Sequence, residues 1–292
     1  MRFRTIDQPA ALDALCSELR DAPWIAFDTE FVSEYSYAPQ LCLIQVGWPQ
    51  GLAVIDPLRL PDVSPFWQRL VVGEHVTIVH AGREEARFCH RATKAIPHQW
   101  FDVQLAGGFV TSEYPSSYLK LAQRWLNRSV NKDETRTDWR KRPLTPAQLE
   151  YALGDVRYLP DLRDALEKDL RHRGRESWFI EESSASLAHV TRIQDSNAWQ
   201  RLSGGGSLKG KARNVLSEIW TWREELALHR NCSPRRILRD DLLVEIARRG
   251  RADEAGILAI RGVRPDLKRD LPSLQARMEL ALSLPTDPAP AP

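Results

Sequence analysis

Short apolar runs of strand length dominate the first hundred residues. Three of them are rich in aromatic and β-branched residues and predict a three-stranded antiparallel meander, at residues 24–32, 41–46 and 52–57. Helices and strands then alternate, at residues 66–72 (helix), 76–80 (strand), 83–94 (helix) and 100–103 (strand). An amphipathic helix is also expected at residues 11–21, ending before Pro23. This order is typical of an α/β fold with a mixed sheet.

Beyond this point the pattern is helical. Helical periodicity occurs at residues 103–110, 117–127, 146–169 and 174–186. The glycine-rich segment Arg201–Ser207 has a composition typical of a linker or a mobile loop. Further helices are predicted at residues 211–230, 234–248, 252–259 and 266–283. We therefore predict an α/β domain at 1–200, a linker at 201–208, a helical domain at 209–284 and an unpacked tail at 285–292.

Charge is distributed unevenly between the two predicted domains. The formal net charge of the 292 residues is only +2. Residues 201–292 hold 17 Lys and Arg against 12 Asp and Glu, whereas residues 1–200 hold 24 against 27. A basic domain beside an acidic one suits a protein that binds metal in one part and a phosphate backbone in another. Ordinary solvated surfaces explain the same modest asymmetry.

Several features favour a cytoplasmic protein that does not enter a membrane. No apolar run approaches the length needed to cross a bilayer. Residues 1–7 lack the long apolar stretch typical of a secretory signal. The cysteines have neither zinc-ligand spacing nor the density of a disulfide framework, so we expect them to be reduced packing residues: Cys16, Cys42, Cys89 and Cys232.

Two acids interrupt the first apolar strand. Asp28 and Glu30 are two residues apart, so their side chains leave the strand on the same face. Neighbouring carboxylates in a partly buried position repel each other and need a compensating cation. Oxygen ligands of this kind suit Mg²⁺ or Mn²⁺. A polar strand end that faces solvent explains the pair about equally well.

A phenol and a carboxylate are one helical turn apart near residue 150. Tyr151 and Asp155 share a face of the predicted helix, so they converge on one point. The carboxylate can bind a metal while the phenol hydrogen-bonds an attacking water. By itself the pair is a weak signal, because this spacing is common on solvated helix surfaces.

Further acids lie at the junctions that follow two of the predicted strands. His80, Ala81 and Gly82 connect a buried strand to a helix, and Gly82 permits a tight turn there. Glu84 and Glu85 then fall in the first helical turn, where the helix dipole favours negative charge. That role is expected for at least one of the two glutamates. Asp102 precedes a helix, and we expect it to cap that helix rather than to bind metal.

In combination, these residues resemble the motifs of a known nuclease superfamily. Phe27–Phe31, His80–Gly82 and the pair of Tyr151 and Asp155 are similar to the three exonuclease motifs of the DEDD superfamily, in its tyrosine-bearing (DEDDy) branch. Each motif is loose alone, but their order and spacing make the combination specific. The resemblance implies a mixed-sheet, ribonuclease H-like exonuclease core.

The flanking sequence narrows this resemblance. Pro39–Gln45 and Arg136–Thr145 are similar to segments of bacterial ribonuclease D. The basic helices that contain Trp222–Glu225 and Arg235–Asp241 resemble an HRDC domain, a small all-α nucleic-acid-binding module. The resemblance covers nearly the whole chain. It implies a 3′–5′ exoribonuclease that acts on RNA 3′ ends, with tRNA precursors as the expected substrates and no obligate protein partner.

The resemblance also implies a set of metal ligands. Asp28, Glu30 and Asp155 would bind one divalent ion, Mg²⁺ or Mn²⁺, and Asp28 would bridge to a second ion. Two ions on the order of 4 Å apart would contact the scissile phosphate from both sides. Tyr151 would orient the attacking water. Glu85 occupies a position where the family normally has an aspartate, and it would serve the second ion in that residue's place.

Candidate substrate contacts are His80, Phe31 and Trp139 near the predicted site, with the two aromatic residues as candidates for base stacking. Each of these three residues is also a plausible core residue. In the helical domain the best basic cluster for phosphate contact is Arg235, Arg236, Arg239, Arg248 and Arg249, with Arg223 and Arg230 as additions. A solvated helical face explains the same arginines equally well.

Two other functions remain open from the sequence. A 3′–5′ DNA exonuclease would use the same metal site, since the chemistry does not distinguish the two backbones. A catalytically weakened RNA-binding protein would keep the fold but lose activity through the substitution at Glu85.

Overall fold

The computed structural model of the protein describes residues 3–33, 36–129, 137–191 and 198–286. The chain divides into two compact units, residues 1–32 with 41–193 and residues 33–40 with 194–292. Within the described residues, none of the helices combines the length and the apolar character that a bilayer-spanning segment needs. The predicted tail at 285–292 lies outside the described residues from residue 287 onward.

A six-stranded sheet forms the centre of the first unit. Its strands are β1 (Arg4–Ile6), β2 (Trp24–Val32), β3 (Gln40–Trp48), β4 (Gly51–Ile55), β5 (Val76–Val79) and β6 (Gln99–Asp102). Their order across the sheet is β1-β4-β3-β2-β5-β6. The pair β3–β4 is antiparallel, whereas β1–β4, β2–β5 and β5–β6 are parallel, which confirms the predicted mixed sheet. The sequence pattern does not predict β1, because three residues are too few to show a period.

Helices cover both faces of this sheet. They are α1 (Pro9–Glu18), α2 (Ser64–Val72), α3 (Arg83–Thr93), α4 (Val103–Val110), α5 (Tyr118–Leu126), α6 (Pro146–Arg157), α7 (Leu159–His172) and α8 (Glu176–Thr191). Successive residues of β2 enter two separate apolar clusters: Ala26 packs with α4–α7, and Ile25 and Phe27 pack with α1–α3. Strand alternation therefore separates two hydrophobic layers, one on each face.

The prediction of one continuous helix at 146–169 is wrong. The structure has two helices there, α6 and α7, which are separated at Tyr158. Pro160 lacks an N–H group and is tolerated only in the first turn of a helix, so a new helix starts there. The Tyr118 hydroxyl bridges the break. It donates to the Gly154 carbonyl oxygen (3.0 Å) and accepts from the Tyr158 N–H (3.2 Å).

The second unit is helical, as predicted. Its helices are α9 (Gly210–His229), α10 (Pro234–Ile237), α11 (Asp240–Arg249), α12 (Glu254–Leu258) and α13 (Leu271–Ser283). The helix predicted at 234–248 is interrupted at Leu238, which is extended because its side chain turns into the apolar core. The helix predicted at 266–283 begins later, since Pro272 favours a helix start at Leu271.

The glycine-rich segment at 201–208 forms successive turns. The Gly205 N–H donates to the Leu202 carbonyl oxygen (2.7 Å), and the Leu208 N–H donates to the Gly205 carbonyl oxygen (3.2 Å). Leu202 and Leu208 pack against the apolar core of the helical unit. The boundaries that the sequence predicts for the two domains, the linker and the tail stay predictions.

A buried ion pair holds the segment before α6 against the sheet. Arg142 donates two hydrogen bonds to Asp56, of 2.6 and 2.8 Å, and a third to the Cys42 carbonyl oxygen at 2.7 Å. It also donates to the Trp139 carbonyl oxygen at 2.8 Å. The Arg142 and Asp56 side chains are only 15% and 7% exposed. Because all of these groups are withdrawn from water, the ion pair fixes the approach of the chain to α6.

We expect Arg142→Ala to lower the free energy of unfolding by about 3–5 kcal/mol, because it removes both short hydrogen bonds to the buried Asp56 carboxylate and leaves only the more distant Arg59, at 3.9 Å. Urea unfolding followed by circular dichroism measures the loss. Arg4→Ala is the matched control, since Arg4 forms a similar two-bond pair with Glu18, but both side chains are over 40% exposed. Its loss should be about 1 kcal/mol or less. Equal losses in the two variants would contradict the assignment.

Candidate active site

The site lies at the end of β5, where β2 extends past its neighbour. Ala26 pairs with Ile78, β5 ends at Val79, and β2 continues to Val32. Asp28 and Glu30 lie in this extension, on the same face as Ala26 by strand alternation. Their carboxylates thus point toward the layer of α4–α7 from a stretch of strand that β5 leaves uncovered.

The short helix α6 brings the third acid from that layer. Asp155 is near its carboxyl end, where Ala152 and Val156 pack into the apolar layer. One carboxylate oxygen from each of Asp28, Glu30 and Asp155 lies within 4.8 Å of the others. The Tyr151 hydroxyl donates a hydrogen bond to Asp155. The strand pair and the helix pair predicted from sequence therefore meet at one point.

Glu85 approaches this point from the opposite layer. It lies in the first turn of α3 and is buried, with 5% of its surface exposed. The Thr29 hydroxyl donates to Glu85 Oε1 at 2.6 Å. Glu85 lies outside the three-carboxylate cluster but close enough to Asp28 and Glu30 to repel them. Its neighbour Glu84 pairs with Arg87 in the first turn of α3, the position favoured by the helix dipole.

The turn that delivers Glu85 is held by Asp102. Ala81 adopts a left-handed conformation (φ 54°), and a Cβ on Gly82 would collide with Val79 at 2.3 Å. The Asp102 carboxylate accepts from the N–H groups of Ala81 and Gly82, both at 2.9 Å. It also accepts from the Gln104 N–H at the start of α4, which confirms the predicted cap. One carboxylate thus fixes both turns.

Withdrawal from water raises the pKa of all four acidic side chains, Asp28, Glu30, Glu85 and Asp155. Repulsion between the carboxylates raises these pKa values further. Asp155 raises the pKa of Asp28, and Asp28 raises the pKa of Glu30 and Glu85. The pKa of Glu30 rises from 4.5 to about 9. The hydrogen bond from Tyr151 acts in the opposite direction on the pKa of Asp155. The protein therefore concentrates negative charge that it does not itself neutralise.

This donor set fits a hard divalent cation. All the ligand atoms are carboxylate oxygens, which Mg²⁺ and Mn²⁺ prefer, and there is no thiolate or imidazole in the three-carboxylate cluster. The charged groups that most raise the pKa of these acids are other carboxylates, Asp155 for Asp28 and Asp28 for Glu30 and Glu85. The cluster can thus hold a divalent ion without displacing a protein cation.

The three candidate substrate contacts near the site all have partners within the protein. His80 places its Nε2 3.0 Å from the Ser116 carbonyl oxygen, and burial lowers the pKa of its ring. Phe31 packs edge-on against Phe88 at 5.6 Å between ring centroids. Trp139 is only 3% exposed and lies 6.0 Å from the ring of Tyr151, so the expectation of an open stacking face at Trp139 is not met. Its ring supports Tyr151 instead.

Most of the candidate arginines in the helical unit are paired. Arg235 and Arg239 form ion pairs with Asp240 (2.8 Å) and Asp241 (3.0 Å). Arg236 is exposed and forms no ion pair within the part of the chain that the structure describes. The remaining candidates bind acids: Arg248 and Arg249 share Glu245, Arg230 pairs with Asp270, and Arg223 pairs with Asp240 and Glu224.

The structure contradicts the expectation that Arg223 is available for phosphate contact. It is 4% exposed, and it donates to the Leu238 carbonyl oxygen and to Asp240 at the start of α11. Its charge is therefore used inside the helical unit and is withdrawn from a phosphate backbone.

Sequence reasoning assigned no individual role to Thr29, Tyr118 or Arg142. Thr29 lies between the two acids of β2, but a threonine in a strand is ordinary and carries no signal. Tyr118 and Arg142 act on chain segments far from them in sequence, which no local pattern reveals. Arg136, part of a segment used for the resemblance, lies outside the described residues.

Comparison with known proteins places this geometry in a family. Residues 3–171 match a family model described as 3′-5′ exonuclease, and residues 212–271 match the HRDC domain. The curated ribonuclease D of Pseudomonas paraeruginosa is 34% identical over 89% of this chain and 69% of its own length. That of Sphingobium indicum is 32% identical over 95% of this chain and 72% of its own length. The chain belongs to the ribonuclease D family.

The chain spans less than two thirds of the length of some other members of the ribonuclease D family. The chain spans 64% of the ribonuclease D of Bartonella henselae, with 34% identity, and 63% of that of Desulfotalea psychrophila, with 37% identity. The crystal structure of Escherichia coli RNase D is similar over 98% of this chain and 76% of that chain, with a TM-score of 0.89 and 28% identity. The catalytic core of RRP6 from Trypanosoma brucei shares the fold, with a TM-score of 0.67.

The raised pKa values predict how the stability of the metal-free protein depends on pH. The pKa of Glu30 is 4.5 in an unfolded chain and about 9 when folded, so the folded protein holds more protons between these values. This contribution to stability is complete below pH 4.5 and is lost as the pH rises toward 9. We expect the Tm in EDTA to fall over this range, and to fall less steeply in Glu30→Gln.

The effect of added Mg²⁺ on the Tm provides a second test of the same carboxylate cluster. A cation replaces the protons, so it should raise the Tm most at the alkaline end of the range. Differential scanning fluorimetry across a pH series, with EDTA or with Mg²⁺, makes the comparison. A Mg²⁺ effect of equal size at every pH, or an unchanged slope in Glu30→Gln, would be incompatible with these pKa shifts.

Proposed function

We propose that the protein is a 3′–5′ exoribonuclease that removes nucleoside 5′-monophosphates from RNA 3′ ends by two-metal-ion hydrolysis. The observation that carries the proposal is the convergence of Asp28, Glu30 and Asp155 within 4.8 Å, with Tyr151 bonded to Asp155. Membership of the ribonuclease D family supports it, since the family model matched by residues 3–171 is a 3′-5′ exonuclease.

The residues divide the chemistry between them. Asp28, Glu30 and Asp155 would hold the divalent ions, Mg²⁺ or Mn²⁺, and Glu85 would complete the site from the α3 side. When bound, such ions neutralise the phosphate and lower the pKa of the attacking water. Tyr151, supported by Trp139, would orient that water by hydrogen bonding. Water would add to phosphorus with loss of a proton, and the bond between phosphorus and the 3′ oxygen of the preceding nucleotide would break. That oxygen takes up a proton to become the new 3′ hydroxyl, and the terminal nucleotide leaves with its 5′ phosphate.

RNA is the proposed substrate rather than DNA. The similar Escherichia coli RNase D is described as an exoribonuclease involved in structured RNA processing, and the similarity extends over 98% of this chain. The catalytic carboxylates themselves do not select between the backbones. We infer that tRNA precursors are the substrates. We also infer that the protein is cytoplasmic, since its four cysteines are free thiols, as is usual in a reducing compartment.

Nucleotide release tests the proposed reaction. With Mn²⁺ and a labelled 3′-extended tRNA, the wild-type chain should release 5′-mononucleotides one at a time. We expect Asp28→Ala and Asp155→Asn to lower the rate by at least about 10³-fold, and Tyr151→Phe by about 10²-fold, typical for loss of a water-orienting group. Denaturing gels and thin-layer chromatography of the products provide the measurement.

The matched control is Glu84→Gln, which removes a neighbouring acid that pairs with Arg87 instead of facing the cluster. It should cleave at close to the wild-type rate. Faster cleavage of a matched single-stranded DNA would show a DNA exonuclease, and binding without cleavage would show an RNA-binding protein. Undiminished activity in Asp155→Asn would rule out the site.

We further propose that the helical unit holds the RNA backbone at a basic cleft. The cleft has a volume of about 400 Å³ and is lined by Arg230, Arg236, Arg269, Asp266 and Asp270, among others. Asp270 pairs with Arg230 at 2.5 Å and with Arg269 at 3.8 Å. Arg236 is exposed, and the Arg269 side chain is 74% exposed. Of the candidates from sequence, Arg236 is therefore better placed than the paired Arg235 and Arg239.

Salt dependence of binding tests this cleft. In an Asp155→Asn background that cannot cleave, Arg236→Ala should weaken RNA binding and reduce the slope of log K against log salt by about 0.7, the value for one contact to a single-stranded phosphate. Arg248→Ala, which removes an arginine already paired with Glu245, should change the slope less. Fluorescence anisotropy measures both. An unchanged slope in Arg236→Ala would exclude a phosphate contact there.

A further inference from the structure

Thr29 is placed between the two halves of the carboxylate site. It lies in β2 between Asp28 and Glu30, so its side chain leaves the strand on the opposite face, toward α1–α3. That is the face from which Glu85 approaches. Thr29 is 6% exposed, and its hydroxyl donates to Glu85 Oε1 at 2.6 Å. Its backbone N–H lowers the pKa of the neighbouring Asp28 carboxylate. Thr29 thus acts on an acid on each face of the sheet.

The hydroxyl limits the freedom of a long side chain. A glutamate has one more rotatable bond than an aspartate, so its carboxylate can occupy more positions around the same backbone. Threonine is branched at Cβ and rotates little about χ1, so its hydroxyl is a fixed donor. The bond to Oε1 therefore restricts the Glu85 carboxylate to one arrangement.

We propose that Thr29 is a positioning residue for the metal site, whose hydroxyl holds the Glu85 carboxylate in place for a divalent cation shared with Asp28. The proposal rests on the proposed function in that it assumes a metal at these carboxylates. It adds the reason why a glutamate serves at this position: its added methylene lets the carboxylate reach the Thr29 hydroxyl. Groups that orient metal ligands in this way change metal affinity when removed.

Metal binding without RNA provides the test. Mn²⁺ titrated into the full chain by calorimetry should bind Thr29→Val, which keeps the shape and lacks the hydroxyl, roughly 10–100-fold more weakly than wild type. Thr29→Ser should recover most of the affinity. Thr77→Val is the matched control, because Thr77 is fully buried on neighbouring β5 and its hydroxyl has no hydrogen-bond partner among the residues that the structure describes. It should bind Mn²⁺ as wild type does.

A double-mutant comparison separates positioning from general damage. In a Glu85→Asp background the shorter carboxylate does not reach Thr29, so Thr29→Val should cause no further loss of Mn²⁺ affinity. An equal loss in both backgrounds, wild-type affinity in Thr29→Val, or absence of Mn²⁺ binding by the wild-type chain would each overturn the proposal. Thr29-dependent Mn²⁺ binding without nucleotide release would instead uphold it and refute the proposed exoribonuclease.

Discussion

Mutual repulsion among carboxylates at the end of β5 is the constraint on which this site depends. Asp28, Glu30 and Asp155 lie within 4.8 Å, and Glu85 lies beside them. Such an arrangement survives only if the surrounding chain holds each acid in place against the others. The supporting contacts do this from a distance: Asp102 fixes the turn before Glu85, and the buried pair of Arg142 and Asp56 fixes the approach to α6.

Helix α6 shows how packing and chemistry share the same residues. Its apolar side chains enter the layer under the sheet, while Tyr151 and Asp155 face the carboxylates. The break at Tyr158 separates α6 from α7, and the Tyr118 hydroxyl hydrogen-bonds a backbone carbonyl oxygen and an N–H group at this break. Trp139 is buried against Tyr151, so an aromatic residue that the sequence suggests for base stacking serves the geometry of the site.

The residues of the site that could be predicted from the sequence follow the periodicity of a single strand or a single helix. Strand alternation places Asp28 and Glu30 on one face, and one helical turn joins Tyr151 to Asp155. Contacts between distant segments were not predictable, because Thr29 and Glu85 are brought together only by the packing of α3 on β2. The division of the helix at 146–169 is a different case. Pro160 signals it in the sequence, but proline is also compatible with a kinked continuous helix.

The acids of this site come from both sides of one sheet. Asp155 belongs to the layer of α4–α7, and Glu85 belongs to the layer of α1–α3. Each layer has its own apolar cluster, and the sheet lies between them. A cation bound by carboxylates of both layers would therefore act as a cross-link between two hydrophobic cores. Metal loading would then make the two faces of the sheet unfold as one cooperative unit, and the same ion would govern catalysis and amide hydrogen exchange.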